Sequence, residues 1–315
     1  VCGESSALMR SIEGFPGEPR SKYIRSTEKG LFNQPTVLNN VETFASIPAV
    51  IRDGAYAFAS VGTGRSKGTK AFCLAGRVNH TGLVEVPMGM TLREVIFGIG
   101  GGVPNGRRFK AVQTGGPSGG CLGEAHLDLR VDFDELSAAG SMMGSGGMIV
   151  MDDYSCMVDV SRYFLKFLMG ESCGKCVPCR EGLFQLFEIV DGIARGNGTR
   201  KDLERIEKLG HAIALSSLCG LGKSGPNPVL SAIANFREEF EAHIVGRKCP
   251  AGVCRELTTF QIDPHRCTGC MKCRRVCPVN AISGEKKKPH HIDTALCTRC
   301  GACRLECDDE AIAVV

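Results

Sequence analysis

Three segments in the second half of the chain repeat apolar residues every three or four positions, which is the spacing of one helix face. The repeating residues are Leu183, Phe187, Val190 and Ala194 in the first segment, Leu203, Ile206, Leu209 and Ile213 in the second, and Val229, Ile233, Phe236, Phe240 and Ile244 in the third. The first segment ends at the Gly-Asn-Gly of residues 196–198, and the third has Asn227 as its N-cap with Pro228 following. The pattern therefore predicts a small helical bundle.

A pattern typical of β-strands occupies the middle of the chain. The stretches "KAFCLAGRV" and "GLVEVPMG" predict two strands around a turn, and "RFKAVQTGG" predicts a third. Between them, "TLREVIFGIGGG" predicts a helix that begins with a capping box of Thr91 and Glu94. Strand, strand, helix and strand in this order fit a small β-grasp domain.

The composition is that of a globular protein. Of its 315 residues, 43% are hydrophobic and 23% are charged, and 38 basic against 34 acidic residues leave a net charge of +4. This balance does not favour a nucleic-acid partner, which requires a concentrated basic face. The sequence has no run of about eighteen apolar residues and no signal peptide at its start, so we expect no transmembrane segment and a cytoplasmic location.

The 18 cysteines change the picture, because most fall in C-x-x-C arrays, which in a cytoplasmic chain indicate metal or redox chemistry rather than disulfides. Near the C-terminus the spacing C-x2-C-x2-C-x3-C occurs twice and resembles that of bacterial two-cluster ferredoxins, in which each loop takes its fourth ligand from the other. Asp308 stands where these proteins have a proline after the last cysteine, which removes no ligand. The resemblance implies one 4Fe–4S cluster on Cys267, Cys270, Cys273 and Cys307 and another on Cys297, Cys300, Cys303 and Cys277.

A third array, Cys173, Cys176 and Cys179, has three cysteines and no close fourth. The next cysteine along the chain is Cys219, and two predicted helices separate it from the array. If those helices pack antiparallel, they return the chain to its starting end. We therefore predict that Cys219 completes the ligand set of a third 4Fe–4S cluster.

Cys249 and Cys254 form a C-x4-C pair that no cluster needs. One hypothesis is a zinc site, since zinc accepts mixed cysteine and histidine ligands. The other is a pair of unligated thiols in a turn, and the sequence leaves both open. Histidines that could complete the zinc site include His265, His290 and His291. The isolated cysteines are expected to be buried structural thiols; they are Cys73, Cys121 and Cys156.

Two parts of the sequence closely resemble one family. The stretch "GESCGKCVPCREG" followed by "SLCGLG" is similar to the cluster-binding segment of the NADH-oxidising flavoprotein subunit of respiratory complex I and of its relatives in NAD-linked hydrogenases and formate dehydrogenases. The stretches "CGESSALMRSIEGFPGEPR" and "GLFNQPTVLNNVET" resemble the end of its flavin domain. The fused ferredoxin is similar to the flavin subunit of electron-bifurcating iron-only hydrogenases and NADP-reducing hydrogenases.

The resemblance implies a multidomain α+β protein of four parts. These are the end of an α/β domain for FMN and NAD, 1–66; a β-grasp domain, 67–135; a helical bundle with one 4Fe–4S cluster, 136–246; and a linker with a two-cluster ferredoxin-like domain, 247–315. The family's glycine-rich flavin loop would lie before residue 1. We therefore expect the chain to be N-terminally incomplete and inactive with NAD(P)H by itself.

The same resemblance implies cofactor-binding residues in the first part. Gly3 and Glu4 match residues that line the flavin and nicotinamide pocket, and Asn39 and Asn40 match residues near the flavin phosphate and ribityl chain. Ser5 stands where the respiratory subunit has a second glutamate. The cofactors implied are three 4Fe–4S clusters, FMN and NAD(H) or NADP(H), with zinc in addition if the Cys249 hypothesis holds.

The implied function is electron transfer between NAD(P)H, through FMN, and 4Fe–4S clusters in a soluble hydrogenase-type or NADH dehydrogenase-type complex. The implied partners are a 2Fe–2S thioredoxin-like subunit, a hydrogenase or formate dehydrogenase subunit, and ferredoxin. No general acid or base is required of these residues. One alternative is an iron–sulfur scaffold subunit without nucleotide chemistry of its own, and another is a regulatory module that holds zinc at every site.

Overall fold

The computed structural model describes residues 1–21 and 23–315. Its helices are α1 Ser5–Ile12, α2 Val41–Asp53, α3 Ala55–Ala59, α4 Phe133–Ala138, α5 Met157–Gly170, α6 Val177–Ala194, α7 Arg200–Ser216, α8 Gly220–Ser224, α9 Asn227–Ile244, α10 Lys272–Arg275 and α11 Ala302–Leu305. Its strands are β1 Thr69–Gly76, β2 Gly82–Pro87, β3 Phe109–Thr114, β4 Gly120–Gly123, β5 Gly147–Asp152, β6 Phe260–Ile262, β7 Ile282–Ser283, β8 His291–Ile292 and β9 Ile312–Val314. No helix in this described part of the chain is long and apolar enough to cross a membrane.

Five strands form a mixed sheet in the order β2-β1-β5-β3-β4. The central strand β5 is parallel to β1 and antiparallel to β3, and β2 and β4 are antiparallel edge strands. The three strands predicted from the sequence are β1, β2 and β3. The pattern did not reveal β5, because this strand is an almost continuous apolar run without alternation. Since β5 ends at Asp152, the sheet extends beyond the predicted domain boundary at residue 135.

One helical segment covers the core of this sheet. The predicted capping box is present, because Thr91 N donates to Glu94 Oε2 (2.8 Å) and Glu94 N donates to Thr91 Oγ1 (3.2 Å). The segment that follows, Glu94–Ile99, is a π-helix, and its Val95 and Ile96 are fully buried. The apolar face predicted from the sequence therefore packs against the sheet, although the helix is wider than the α-helix that the spacing indicated.

Helices α5, α6, α7 and α9 form the predicted bundle. Most of the apolar positions identified in the sequence are buried in its core, among them Leu183, Val190, Ile206, Ile213, Val229 and Phe240. Two details of α9 differ from the prediction. Pro226 occupies the N-cap position, so that Asn227 is the first helical residue, and the backbone leaves helical geometry at Phe236 (φ −139°, ψ 36°).

The same helix α9 joins the bundle to the sheet. The backbone N–H of Cys121 in the edge strand β4 donates to Ser231 Oγ (2.9 Å), and Asn235 Nδ2 donates to the Cys121 carbonyl oxygen (3.0 Å). Asn227 Nδ2 donates to the carbonyl oxygen of Ser118 (3.3 Å). An edge strand exposes unpaired backbone groups, and here side chains of α9 pair them. The position of the bundle relative to the sheet is thereby determined.

The C-terminal region consists of two halves, and each half has a strand, a short helix and a second strand in the same order. Strand β6 pairs with β9 and strand β7 pairs with β8, so that each half of the sequence contributes to both ladders. A small core fills the space between the halves, and it includes Ile262, Ile282, Ile292 and Ile312 together with Cys273 and Cys303. This region is a ferredoxin-like fold.

Several side chains of the N-terminal residues contact the sheet or the segments beside it, among them Glu42, Phe58 and Thr63. Glu42 near the start of α2 pairs with Lys70 Nζ and accepts a hydrogen bond from Ala71 N (2.9 Å). These bonds lower the pKa of Glu42 against the opposing effect of burial, which is the largest single influence on it. Helix α2 has no fully buried residue, and Glu42 is one of the side chains that hold it beside β1.

The N-cap of α4 gives a test of the sheet's stability. The Asp132 carboxylate accepts hydrogen bonds from the N–H groups of Asp134 (2.8 Å) and Glu135 (3.2 Å) and from the Thr63 hydroxyl. These bonds, led by the one from Thr63, lower the pKa of Asp132 to about 2. We predict that Asp132→Ala lowers the free energy of unfolding by about 1–2 kcal/mol, the usual cost of losing an N-cap. Thermal unfolding followed by circular dichroism measures the change.

The loss should also depend on pH. Because the folded-state pKa of Asp132 lies below its unfolded value of about 4, its stabilisation is complete above that pH and disappears as the pH falls towards 2. Asp134→Ala is the matched control, since Asp134 is exposed in the same turn and pairs only at the surface with Arg65 (3.2 Å). Equal losses in the two variants would contradict the prediction.

Candidate metal centres

The helical bundle brings four distant cysteines together. Cys173 lies on the loop before α6, Cys176 is the N-cap residue of α6, and Cys179 lies in its first turn. Cys219 is the N-cap residue of α8, three residues after the end of α7. Helices α6 and α7 are antiparallel neighbours, as predicted, because Gly182 near the start of α6 faces the side chain of Ile213 near the end of α7. Burial raises the pKa of Cys179, and the nearby sulfurs of Cys176, Cys219 and Cys173 raise it further.

Two features of this site fit a bulky group that contains sulfur. The hydroxyl oxygen of Ser217 is buried and has no hydrogen-bond partner among the described residues, and Ser172 Oγ lies 3.3 Å from Cys179 Sγ. Hydroxyl groups next to thiolate ligands stabilise a negatively charged cluster. A Cβ atom on Gly222 would lie 2.5 Å from Ser217 Oγ and 3.0 Å from Cys179 Cβ, so no side chain can occupy that position. The site therefore fits a 4Fe–4S cluster.

The first ferredoxin-type set is assembled from both halves of the C-terminal region. Cys267, Cys270, Cys273 and Cys307 line one cavity. Burial raises the pKa of Cys273, and the sulfurs of the other three, Cys307 included, add to the effect. Asp308, which replaces the expected proline, forms an ion pair with Lys272 across the two halves. Cys307 of the second half thus lies in one cavity with the three cysteines of the first half.

The second set has the same arrangement. Burial, followed by the nearby sulfurs of Cys297 and Cys300, raises the pKa of Cys303 to about 12. Cys277 packs against the same small core as Cys303. Its sulfur accepts a hydrogen bond from Ala281 N (3.2 Å), the counterpart of the bond from Ala311 N to Cys307 Sγ (3.3 Å). Cys277 therefore occupies, in the second set, the position that Cys307 occupies in the first.

A fourth group of ligands forms where the sheet, the bundle and the linker meet. Cys156, His243, Cys249 and Cys254 are all buried, and one potential ligand atom from each lies within 4.8 Å of the others. Cys156 Sγ is 3.8 Å from Cys254 Sγ and 3.3 Å from His243 Nε2. Tetrahedral zinc with bonds of about 2.3 Å to sulfur separates two sulfur ligands by about 3.8 Å. This group therefore has the dimensions of a site for one ion.

The electrostatics of this group also suit a cation. His243 Nδ1 lies 2.7 Å from the Glu239 carbonyl oxygen, and this second contact directs Nε2 towards the sulfurs. Burial raises the pKa of Cys156, whereas hydrogen bonds from Cys156 and Cys254 lower the pKa of Cys249. Three buried thiols and an imidazole at such distances share protons in the absence of a metal, and a divalent ion replaces those protons.

The partners of Cys249 and Cys254 differ from those that the sequence suggested. The histidine is His243, and none of His265, His290 and His291 belongs to the group. Cys156, expected to be an isolated structural thiol, is the third sulfur. Neither residue has a local motif, because Cys156 and His243 lie 87 positions apart and 93 or more positions separate Cys156 from the linker pair. One indication of this group was present in the sequence: His243 lies next to Ile244, a residue of the apolar face of α9.

Among the residues that the structure describes, Cys73 and Cys121 do not belong to a group of potential metal ligands. Cys121 is buried, its thiol donates to Gln113 Oε1 (2.7 Å), and burial raises its pKa to about 12. This confirms a structural thiol. Cys73 is exposed on β1, so the expectation of burial was wrong for it. The side chain of residue 73 in an alternating strand points away from the core that Phe72 and Leu74 enter.

The structure does not bring all the residues expected near flavin and nucleotide into one cleft. The Glu4 carboxylate caps α1 by accepting from Ser6 N (2.9 Å) and Ala7 N (3.1 Å), and it lines a cleft that also contains Arg20 and Arg25. Gly3 is an exposed turn residue beside it. Asn39 and Asn40 are exposed and are not part of this cleft's lining. The described residues do not enclose a flavin site by themselves.

Comparison with known families agrees with this geometry. The family model of the NADH-ubiquinone oxidoreductase-F iron-sulfur binding region matches residues 159–243, which contain Cys173, Cys176, Cys179 and Cys219. This part of the chain is therefore similar to the iron–sulfur binding region of that oxidoreductase subunit. A 4Fe–4S binding domain matches residues 260–283, and an SLBB domain matches residues 71–122. The family resemblance predicted from the sequence is confirmed.

The individual relatives are named as subunits of a hydrogenase and of an NADH-quinone oxidoreductase. The chain is 56% identical to the NADP-reducing hydrogenase subunit HndC of Solidesulfovibrio fructosivorans over 92% of its own length and 59% of the relative's. It is 43% identical to the F 2 subunit of the NADH-quinone oxidoreductase of Rhizobium meliloti, over 79% of the chain and 59% of the relative. The chain thus spans about three fifths of the length of these curated relatives.

Among solved structures, the chain resembles the H2-reduced state of an NAD+-reducing NiFe hydrogenase. The superposition has a TM-score of 0.70 at 38% identity, and it covers 77% of this chain and 40% of the hydrogenase chain. The air-oxidised state of an NAD+-reducing NiFe hydrogenase gives a TM-score of 0.71. The matched part of this chain therefore has a fold similar to the corresponding part of those hydrogenase chains.

The close contacts of Gly222 lead to a prediction about the bundle site. Gly222→Ala places a methyl group against Ser217 and Cys179, so the loop that carries Cys219 must shift. We expect a loss of up to four irons per chain, measured by elemental analysis of anaerobically purified protein. Gly220→Ala is the matched control, because Gly220 lies next to Cys219 and a Cβ atom added there would have no other atom within 4 Å. Iron content that is equal in the two variants would contradict this account of the loop.

Proposed function

We propose that this chain is the iron–sulfur part of an NAD(P)H-oxidising flavoprotein subunit, which passes electrons between NAD(P)H, through FMN, and 4Fe–4S clusters in a hydrogenase-type or NADH dehydrogenase-type complex. The observation that carries the proposal is the convergence of Cys219 on Cys173, Cys176 and Cys179 within the region that matches the oxidoreductase family. The adjoining ferredoxin-like region supplies two further sets of four cysteines.

The ligand sets that we propose follow the geometry. Each of the three holds one 4Fe–4S cluster, which when bound accepts and releases one electron at a time. The protein buries some of the ligating cysteines and leaves others, such as Cys270 and Cys300, exposed, and backbone N–H groups donate to several of the sulfurs. Burial, solvent exposure and these hydrogen bonds set the reduction potentials. The sets are Cys173, Cys176, Cys179 and Cys219; Cys267, Cys270, Cys273 and Cys307; and Cys297, Cys300, Cys303 and Cys277.

The domain organisation that we propose keeps four parts. The strand order β2-β1-β5-β3-β4, with a helix between β2 and β3, supports a β-grasp assignment for the sheet. Because β5 belongs to that sheet, we extend this domain to Asp152 and begin the bundle at α5. Residues 1–66 remain the end of a flavin domain, and 247–315 remain the linker and ferredoxin-like domain.

The nucleotide chemistry belongs to the complete protein. We propose FMN and NAD(H) or NADP(H) as its cofactors, with Gly3, Glu4, Asn39 and Asn40 at the edge of their site, and we expect the present chain to be inactive with NAD(P)H by itself. The names of the relatives support these cofactors. The proposed partners are a 2Fe–2S subunit of thioredoxin type, a hydrogenase or formate dehydrogenase subunit, and ferredoxin. Sites built on reduced thiolates suit the cytoplasm.

We also propose one zinc ion at Cys156, His243, Cys249 and Cys254. Three sulfurs and one imidazole nitrogen are a common ligand set of structural zinc. Cys156 precedes α5, His243 lies in the last turn of α9, and the other two ligands lie in the linker. Such an ion would hold the linker, and with it the start of the ferredoxin-like region, against the end of the bundle.

Iron analysis tests the electron-transfer proposal. Three sets of four cysteines predict about twelve irons per chain. Cys219→Ser should retain about eight of them and should remove one reduced-state EPR component, whereas the control Cys73→Ser, at an exposed cysteine outside every set, should retain all twelve. A Cys219→Ser protein that keeps twelve irons would overturn the bundle cluster. In the complete protein, NAD(P)H must reduce the clusters; if only an external reductant does so, the scaffold alternative is correct.

Zinc analysis tests the fourth site. The wild-type chain should contain about one zinc, and His243→Gln should bind zinc at least tenfold more weakly, since one of its four ligands is lost. His211→Gln is the matched control, because His211 is an exposed histidine on α7. Zinc content and a competition titration with a chelator measure the change. Absence of zinc from the wild-type protein, or equal affinities in both variants, would contradict this site.

A further inference from the structure

The two halves of the ferredoxin-like region hold their cysteines in equivalent backbone environments. Cys267 N donates to the Asp263 carbonyl oxygen (3.0 Å), and Cys297 N donates to that of Asp293 at the same distance. Strand pairing is equivalent as well, since Ile262 opposes Ile312 and Ile282 opposes Ile292. The first cysteine of each set accepts one backbone hydrogen bond, from His290 N to Cys267 Sγ (3.5 Å) and from Arg299 N to Cys297 Sγ (3.4 Å). The larger difference between the two cluster sites lies in their side chains.

One pair of equivalent positions differs strongly in chemistry. Phe260 and His290 occupy the same place in the two halves, directly before the Gln261 and His291 positions of the paired strands. Both side chains are buried, with 2% and 5% of their surface exposed. A buried histidine is uncommon, because its polar nitrogens need partners. The partners of His290 therefore indicate what it does.

His290 is held against the ligands of the first cluster. Its backbone N–H donates to Cys267 Sγ (3.5 Å), its Nδ1 lies 3.9 Å from the same sulfur, and its Nε2 lies 3.1 Å from Met271 Sδ. The ring also lines the cavity formed by that cluster's four cysteines. Gly284 makes room for it, since a Cβ there would lie 2.8 Å from the imidazole carbons. The imidazole is thus a fixed polar neighbour of Cys267.

Phe260 occupies the matching position beside the second cluster. Its ring lies 3.7 Å from where a Cβ on Gly301 would stand, and Gly301 is the counterpart of Met271. Phe260 packs in the same core as Cys303. A phenyl ring has no N–H group to offer a ligating sulfur. At this position the second cluster site therefore has a phenyl ring instead of an imidazole, and the hydrogen bond described for Cys297 Sγ comes from the backbone of Arg299 (3.4 Å).

We propose that the His290 imidazole donates a hydrogen bond to Cys267 and thereby makes the cluster of Cys267, Cys270, Cys273 and Cys307 the more easily reduced of the two. Reduction adds negative charge to a cluster and its thiolates, and a hydrogen bond to a ligating sulfur stabilises that charge. This inference rests on the proposed occupancy of both ferredoxin-type sites by 4Fe–4S clusters. His290 acts through Cys267 and is a positioning and tuning residue.

The two cluster sites of the ferredoxin-like region also differ in their position relative to the bundle. The second cluster site is the one next to the bundle, because Arg304, which follows Cys303, donates to the Ala251 carbonyl oxygen (2.7 Å) and stacks on Tyr154 (4.0 Å). Arg299 also donates to the linker, at the Arg255 carbonyl oxygen (3.1 Å). Electrons within the ferredoxin-like region therefore accumulate at the cluster of Cys267, on the side away from these linker contacts.

A reciprocal exchange tests this proposal in the intact chain with all its clusters. His290→Phe should make one EPR-detected cluster harder to reduce, by about tenfold in its one-electron equilibrium constant, or about 59 mV. Phe260→His should make a different cluster easier to reduce. His290→Gln keeps an N–H donor, so the reduction potential of this cluster should lie closer to the wild-type value than in His290→Phe. His291→Phe, which removes an exposed imidazole one residue away, should shift nothing.

The outcomes separate this inference from the proposed function. Iron content is measured on every variant, and a wild-type chain with about four irons rather than twelve overturns both. With twelve irons present, unchanged potentials in His290→Phe overturn the inference alone, as does an equal shift in His291→Phe. If His290→Phe loses its cluster, His290→Gln and Phe260→His decide: a Phe260→His protein whose potentials match the wild type overturns the proposal.

Discussion

The structure depends on one geometric constraint, which is that a four-iron cluster requires four thiolates at its corners while a tight loop can supply only three. The fourth cysteine must come from a distant part of the chain. In the bundle, the antiparallel pair α6 and α7 returns Cys219 to the loop that begins α6. In the C-terminal region, the two halves exchange cysteines, so that neither half forms a complete site without the other. Each cluster site is therefore also a requirement on the fold.

Helix α9 connects the regions that these sites require. Ser231 and Asn235 on it pair with the backbone of edge strand β4, and His243 at its other end joins three sulfurs at the start of the linker. One helix thus fixes the sheet at its beginning and the linker at its end. The departure of its backbone from helical geometry at Phe236 lies between these two attachments, next to Gly123 of β4. The local distortion serves contacts to two different neighbours.

Much of the fold, and the grouping of most of the cysteines that the structure brings together, could be predicted from the sequence, because these features rest on local patterns. The spacing of cysteines in each loop, the apolar faces of α6 and α7 and the Thr91 capping box all depend on residues within a few positions of one another. The prediction failed where no local pattern exists. Strand β5 has no alternation, since both of its faces are covered, and Cys73 takes the outward position of a strand whose sequence is apolar on both faces.

The sequence by itself determined how each cysteine loop is spaced, which ligand chemistry the three arrays offer and which family the iron–sulfur region resembles. Ligand chemistry and loop spacing are properties of short segments, and short segments can be interpreted without a fold. Only the tertiary structure decided that Cys156 and His243, 87 positions apart, meet the linker pair Cys249 and Cys254, and that His290 lies beside Cys267 instead. Contacts between residues that are distant in sequence depend on how helices and strands pack, and packing is a property of the whole chain.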